Sequence, residues 1–306
     1  MTEVTPAAPT PRRATGFLAM AFAVLIWAGW IVAVRASVIT SVGPIDIALL
    51  RYGIPALVLA PALWRVGILP RGVARWRIFV MTFGWGAPFA MLAAQGARSA
   101  PTAQVAALVP GSMPLWVALI STVALGARHA PRGWFGLALI AVAVAMVVVP
   151  ALAGRDPGAL AGAPWLMAAS FGWACYAVAY RGSGMDPVAA TAVVAFWSAL
   201  GLIPVALIWG EGLSDLGPMA LAGQVLMQGV LAGVVAVIAF AVAIRTLGAG
   251  QATAFLALVP VLSALGGTLI LSEALTVRMT FAILAASAGV ALVNSAGVTF
   301  RQRPSR

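Results

Sequence analysis

Residues that do covalent or metal chemistry are scarce in this chain. It has one histidine, His129, one cysteine, Cys175, and seven acidic residues. A catalytic site needs an acid, a base or a nucleophile converging on one point, and none of these groups recurs at a spacing that would bring that about. A lone cysteine has no intramolecular disulfide partner, and one histidine in a loop makes no histidine-based metal cluster. The sequence therefore implies no enzyme and no cofactor. What stands inside the apolar runs instead is aromatic, hydroxyl, amide and, once, guanidinium.

The aromatic groups are spaced for binding. Trp27 and Trp30 are three residues apart, as are Trp173 and Tyr176, so each pair shares a helical face. Interfacial belts explain many membrane tryptophans, but Trp27 and Trp173 fall near the middle of their runs. Lining a cavity for flat apolar solutes explains them, and so does helix packing. Tyr52, Phe89 and Phe240 are candidates of the same kind, with Trp85, Trp116, Trp197 and Phe255 weaker ones. Pro110 and Pro260 stand inside apolar runs, where proline removes a helical hydrogen bond and kinks the helix. They are read as hinges at a cavity or as static kinks. Ser112 and Ser263 lie close to them and could hydrogen-bond a solute, although intramembrane hydroxyls often only join helices. Arg51 is the arginine within a run, and an intramembrane charge is a functional candidate, with snorkelling as its alternative. Glu273 ends a run, and an Arg51–Glu273 latch is one arrangement of these charged gate candidates. With no carboxylate at mid-run depth, the usual proton-relay or sodium site is missing, which predicts movement down the solute gradient or coupling through some unusual group.

These residues need long apolar elements to hold them. Of 306 residues, 63% are hydrophobic and 8% charged, against about 25% charged in soluble domains. The runs last about twenty residues without a two-residue period, which indicates membrane helices rather than barrel strands. We place spans at 15–34, 46–64, 78–97, 102–126, 133–152, 160–180, 187–209, 219–245, 250–273 and 279–297. All 18 basic residues are arginine, and the net charge is +11. They form no patch of the kind nucleic acid requires. Arg12, Arg13, Arg65, Arg71, Arg75, Arg77, Arg128, Arg132, Arg181, Arg245, Arg301, Arg303 and Arg306 fall on one side; Arg35, Arg98, Arg155 and Arg278 fall on the other. The positive-inside rule then places both termini in the cytoplasm of a cell (inner plasma) membrane. A polar tail, 1–14, is expected to be disordered, and 298–306 forms a basic tail. Gly229 and Gly233 make a small-xxx-small pair, which bears on an oligomeric state otherwise left open.

The chain repeats itself. Leu108-Val109-Pro110 falls on Leu258-Val259-Pro260 at a displacement of 150, and the match runs on to Arg128/Arg278. Trp27-Ala28, Val32-Ala33 and Arg35 fall on Trp173-Ala174, Val178-Ala179 and Arg181 at 146. The units are 15–152 and 153–297. Five spans per unit, an odd number, invert one half relative to the other, and inverted repeats are characteristic of secondary transporters. The charges do not repeat: Glu273 faces Val123 and Arg51 faces Val194.

The stretch from Gly248 through Gln251 and Phe255 to Pro260, then Leu271-Ser272-Glu273-Ala274-Leu275 and a last helix bearing Gly289-Val290, resembles the repeat signature of the EamA family of the drug/metabolite transporter superfamily. Ser272 stands where that signature has glycine, and Val123 where the first half carries glutamate in a symmetric member. The length and aromatic-rich spans look most like the bacterial YddG-type amino-acid exporters. The resemblance implies an all-α integral membrane fold of ten transmembrane helices in two inverted five-helix repeats. It also implies export of a small-molecule substrate, aromatic and other apolar amino acids first, by alternating access through a central cavity. Efflux of drugs or other metabolites by the same fold is the alternative, and a gated pore stands behind it. The partners implied are the substrate and the lipid bilayer.

Overall fold

The computed structural model describes residues 11–40, 42–210, 213, 215–296 and 298–300. The tail expectations for 1–10 and 301–306 lie outside these. Helix α1 (Pro11–Thr40) begins inside the stretch expected to be disordered. Next come α2 (Pro44–Val58) and α3 (Ala60–Val66), bent by 66° at Leu59. Pro61 explains the bend, since it has no N–H for the carbonyl of Leu57. Then follow α4 (Arg75–Trp85) and α5 (Ala87–Ala97), α6 (Thr102–Leu108) and α7 (Met113–Leu125), α8 (Pro131–Leu152), α9 (Pro157–Arg181) and α10 (Pro187–Trp209). Helix α11 (Pro218–Gln224) continues through a π-helical stretch, Val225–Val235, into α12 (Ala236–Leu247). Helix α13 (Ala249–Ala254), a 3-10 turn at Phe255–Ala257, α14 (Leu258–Leu271) and α15 (Val277–Ala296) complete the bundle. One departure from an all-helical fold is a short antiparallel pair, β1 (Ala127–His129) with β2 (Val298–Phe300).

Among the described residues, eight helical stretches are long and apolar enough to cross a membrane, or nine if the bent α2–α3 pair is one span. Helix α9, although 25 residues long, is not among them. Its glycines, prolines, tryptophans and tyrosines dilute its apolar character. Helix starts and stops follow local chemistry. Asp156 Oδ1 accepts from Ala159 N at 3.0 Å and Asp186 Oδ1 from Val188 N at 2.9 Å, capping α9 and α10; such caps contribute about 1 kcal/mol each. Gly67 and Gly248, at φ of 79° and 85°, end α3 and α12. Trp64, Leu207 and Leu269 are each more than four-fifths exposed, an outward apolar surface that suits lipid rather than water.

The main contacts of α1 and α9 correspond when the two halves are exchanged. Helix α1 lies against α12, the π-helical stretch and α14, all in the second half; α9 lies against α4, α5 and α7, all in the first. Across the halves α2 packs on α10 and α8 on α15. Close approaches carry the same register. A side chain at Gly16 would strike Thr246, and one at Gly162 would come within 2.8 Å of the Gly96 carbonyl. Positions 16 and 162 differ by 146, and 96 and 246 by 150, the two displacements of the sequence repeat. The Gly229/Gly233 pair is used within the chain: a Cβ on Gly229 would meet Ile54 at 2.6 Å, and one on Gly233 would meet Pro55 at 2.5 Å. It seats α2 and so is not free for a second copy.

Candidate functional site

Five of the sequence-selected aromatics meet where the halves join, and Arg51 lies among them. Arg51 stands two turns into α2 and is 3% exposed. Its Cζ lies 4.5 Å from the ring centre of Trp30 and 5.8 Å from that of Trp85. Its Nη1 is buried with no hydrogen-bond partner. Phe89 stacks on Trp30 at 6.1 Å and meets Trp173 edge-on at 5.8 Å. Trp85 stacks on Tyr176 at 5.0 Å, and Tyr176 on Tyr180 at 5.6 Å. Tyr52 donates its hydroxyl to the carbonyl of Trp85. Trp27 pairs with Phe240, edge-on at 5.3 Å, about one helical turn from Trp30 along α1. The Trp27–Phe240 and Trp173–Phe89 pairs are alike: each sets the tryptophan shared by the repeat against a phenylalanine of the other half, with Phe240 one position beyond the repeat partner of Phe89.

Local structure aims these rings. The α4–α5 break at Gly86 frees the Trp85 carbonyl for Tyr52. Gly86 is required there because a Cβ would strike Thr82 O and Ser198 Oγ, and Ser198 Oγ accepts from Ala87 N at 3.1 Å. Trp30 donates its indole N–H to Gln228 Oε1 at 2.7 Å. Gln228 Nε2 donates to Gln224 Oε1 at 3.1 Å, and Gln224 Nε2 to Ser37 Oγ at 2.8 Å. This amide ladder pins α1 to the segment containing the π-helix. In the sequence Gln228 is one of a few amides within the apolar runs. Its spacing of four from Gln224 was the available signal that the two form a chain.

Other candidates fall elsewhere. Ser112 donates to Leu108 O at 2.6 Å and lies 2.9 Å from Ser170 Oγ, which donates to Val109 O. Ser263 donates to Ala28 O at 3.3 Å. Both serines are fully buried in helix contacts, α7 on α9 and α14 on α1, so their polar capacity is engaged by the protein rather than turned to a solute. Pro110 sits in the break between α6 and α7. Pro260 sits in the first turn of α14, just past the 3-10 turn, where its missing N–H costs little. The Arg51–Glu273 latch is not formed. Glu273 Oε1 accepts from Arg35 Nε at 2.9 Å and Oε2 from Thr102 N at 2.8 Å. Arg35 Nη1 donates onward to Ala97 O at 2.6 Å and Arg98 O at 2.9 Å. Arg35 preempts the pairing because the end of α1 reaches Glu273 while Arg51 turns toward the rings. The resulting clamp joins the ends of α1 and α5, the start of α6 and the end of α14. Beside it Asp156 Oδ2 accepts from Gln104 at 2.8 Å and Arg278 at 3.4 Å.

A cavity of about 410 Å³ opens among Arg65, Arg71, Ser183 and Asp186, and another of about 290 Å³ among Asp46, Ile203 and Leu213. Both lie at helix ends. At the aromatic cluster the rings pack against one another, with centres 5.0–6.1 Å apart. Among the described residues, no group of three or more His, Cys, Asp or Glu side chains is placed to hold a metal ion.

Two stretches, 14–149 and 160–295, each match the model of the EamA-like transporter family. The chain belongs to the EamA-like transporter family. It is thus a multi-pass membrane transporter of the drug/metabolite superfamily with two family repeats, and family members are transporters rather than enzymes. No curated protein is detectably similar to it in sequence. A solved structure, described as "Crystal structure of protein", is 22% identical with a TM-score of 0.59, over 92% of this chain and 97% of that one. That likeness speaks for the shared fold. Within this family fold, Trp30 of the first repeat and Trp173 of the second both pack on Phe89.

Proposed function

We propose that this chain is a ten-span transporter with its two repeats inverted in a cell inner membrane and both termini cytoplasmic. It exports aromatic and other apolar amino acids by alternating access between the repeats. The observation that carries the reading is the ring cluster at their junction, where Trp30, Trp85, Phe89, Trp173 and Tyr176 come together from both halves. Flat apolar side chains stack favourably on such rings, by about 0.5–1.5 kcal/mol per pair beyond area burial. Close glycine contacts between helices of the two interleaved halves, such as Gly84 on Gly172 and Gly96 on Gly162, give surfaces that can shift against one another as alternating access needs. In this reading, rings in mutual contact belong to a closed form, and a solute enters by parting α5 and α9.

Coupling follows from charge placement. The described carboxylates, Asp46, Asp156, Asp186, Asp215 and Glu273, stand at helix ends or in loops, so substrate moves down its own gradient without a dedicated ion site. The testing experiment is counterflow into liposomes of purified protein, across amino acids, nucleosides, sugar phosphates and cationic dyes. Aromatic amino acids should exchange fastest, without any ion gradient. Preference for dyes or sugar phosphates would refute the substrate class, and strict dependence on a proton gradient would refute the uncoupled mechanism.

A further inference from the structure

Arg51 presents an energetic problem that the ring cluster alone leaves unsolved. Its guanidinium is 3% exposed, and Nη1 has no hydrogen-bond partner. Among the described residues, no carboxylate lies within ion-pair distance of it. The indoles of Trp30 and Trp85 compensate part of the charge through cation–π attraction. The neighbouring Tyr52 hydroxyl hydrogen-bonds the guanidinium, but nothing satisfies Nη1, and an unpaired buried donor is costly, more so when charged. A polar group kept in this state inside a membrane protein is placed for a partner that comes and goes. The partner must be an anion, planar enough to enter between rings, and attached to something the rings accept.

We infer that Arg51 is the docking group for the substrate's carboxylate, and that the site takes aromatic carboxylates whether or not they carry an amino group. The inference rests on the transport reading above and narrows its substrate class. Guanidinium and carboxylate match as planar groups with parallel hydrogen bonds. The substrate ring would take up stacking on Trp30, Phe89 or Trp85 that these rings now satisfy among themselves. Nothing comparable awaits an ammonium group. The described carboxylates stand at helix ends and in loops, and a cation beside Arg51 would be repelled by it. Recognition by carboxylate and ring makes 3-phenylpropionate at least as good a ligand as phenylalanine, and phenethylamine a poor one.

The test uses the purified full chain in detergent, with tryptophan fluorescence and thermal shift as binding readouts and these three compounds as probes. Phenylalanine and 3-phenylpropionate should bind and compete with each other, and phenethylamine should bind at least tenfold more weakly. Arg51→Gln should weaken both carboxylate ligands tenfold or more, with Arg51→Lys intermediate because it keeps the charge and loses the planar fork. Phenethylamine binding as tightly as 3-phenylpropionate to the wild type would overturn the inference, and this arm stands even if the variants do not fold. Equal 3-phenylpropionate affinity in wild type and folded Arg51→Gln would overturn it too. If wild type and Arg51→Gln exchange phenylalanine with the same KM, the carboxylate assignment falls while amino-acid transport stands. If the wild type neither binds nor moves any aromatic acid or amino acid, both fall together.

Discussion

Replacing Glu273 by glutamine isolates the clamp at the end of α14. The change keeps shape and one acceptor but removes the charge. Glu273 Oε1 lies 2.9 Å from Arg35 Nε, with side chains 16% and 17% exposed, and Oε2 accepts from Thr102 N at 2.8 Å. At an effective dielectric of 20, the gross attraction at that separation is about 6 kcal/mol. Desolvation and the retained hydrogen bond offset most of it, and a charged hydrogen bond contributes about 1.5–3 kcal/mol net. If the clamp exists only in the closed form at this end, the ratio of closed to open molecules falls roughly 10- to 150-fold. Ala100 is fully buried beside the clamp, so a cysteine there, in a Cys175→Ser background, reports opening. Labelling by a membrane-impermeant maleimide in proteoliposomes should accelerate at least tenfold in Glu273→Gln, and Arg35→Gln should add little further. Labelling within twofold of the parent would refute the reasoning and leave the ion pair a static tie.

Gly84→Ala would set a methyl against the Gly172 carbonyl and 3.0 Å from Tyr176 N. It should cost about 1–3 kcal/mol by overpacking, read as a lower Tm, and weaken aromatic ligands by shifting Tyr176. Gln228→Leu strands the Trp30 indole N–H, which should destabilise by about 1–3 kcal/mol and change the tryptophan emission maximum; an unchanged spectrum would contradict the proposed anchoring. Ser272 holds φ 55°, the one described non-glycine with positive φ. Ser272→Gly relieves about 1 kcal/mol of left-handed strain, partly offset by chain entropy, so Tm should rise; a fall would show that the serine hydroxyl matters more than the backbone.

Much of the scaffold was legible in the residues. Apolar runs of span length, arginines between them and the displaced Leu-Val-Pro blocks indicate a duplicated helical membrane protein, and the exchange of contacts between α1 and α9 carries that same register. Trp30, Tyr52, Phe89, Trp173 and Tyr176 were all selectable by type and depth. Partnerships were not. The sequence pairs Glu273 with Arg51, although Arg35, Arg98, Arg155 and Arg278 fall on the same side, and only the end of α1 delivered Arg35 to it. Ser112 and Ser263 stood open between a solute contact and a helix tie, because the carbonyls they meet belong to neighbouring turns and helices. The π-helical stretch and the bent α2–α3 pair reflect close packing and proline chemistry that hydropathy does not register.

The division has one physical cause. Crossing a membrane is a local requirement, met by about twenty apolar residues and flanking charge, so the sequence by itself determined the membrane-helical class, its duplication and the scarcity of ionisable groups within the runs. Which side of each helix faces a neighbour is a different matter. In water, a polar stripe tells outside from inside. Here lipid and protein core are both apolar, so one helix face looks like another in the residue order. Only the tertiary structure decided that Arg51 turns inward onto Trp30 and Trp85 with an N–H group unmet.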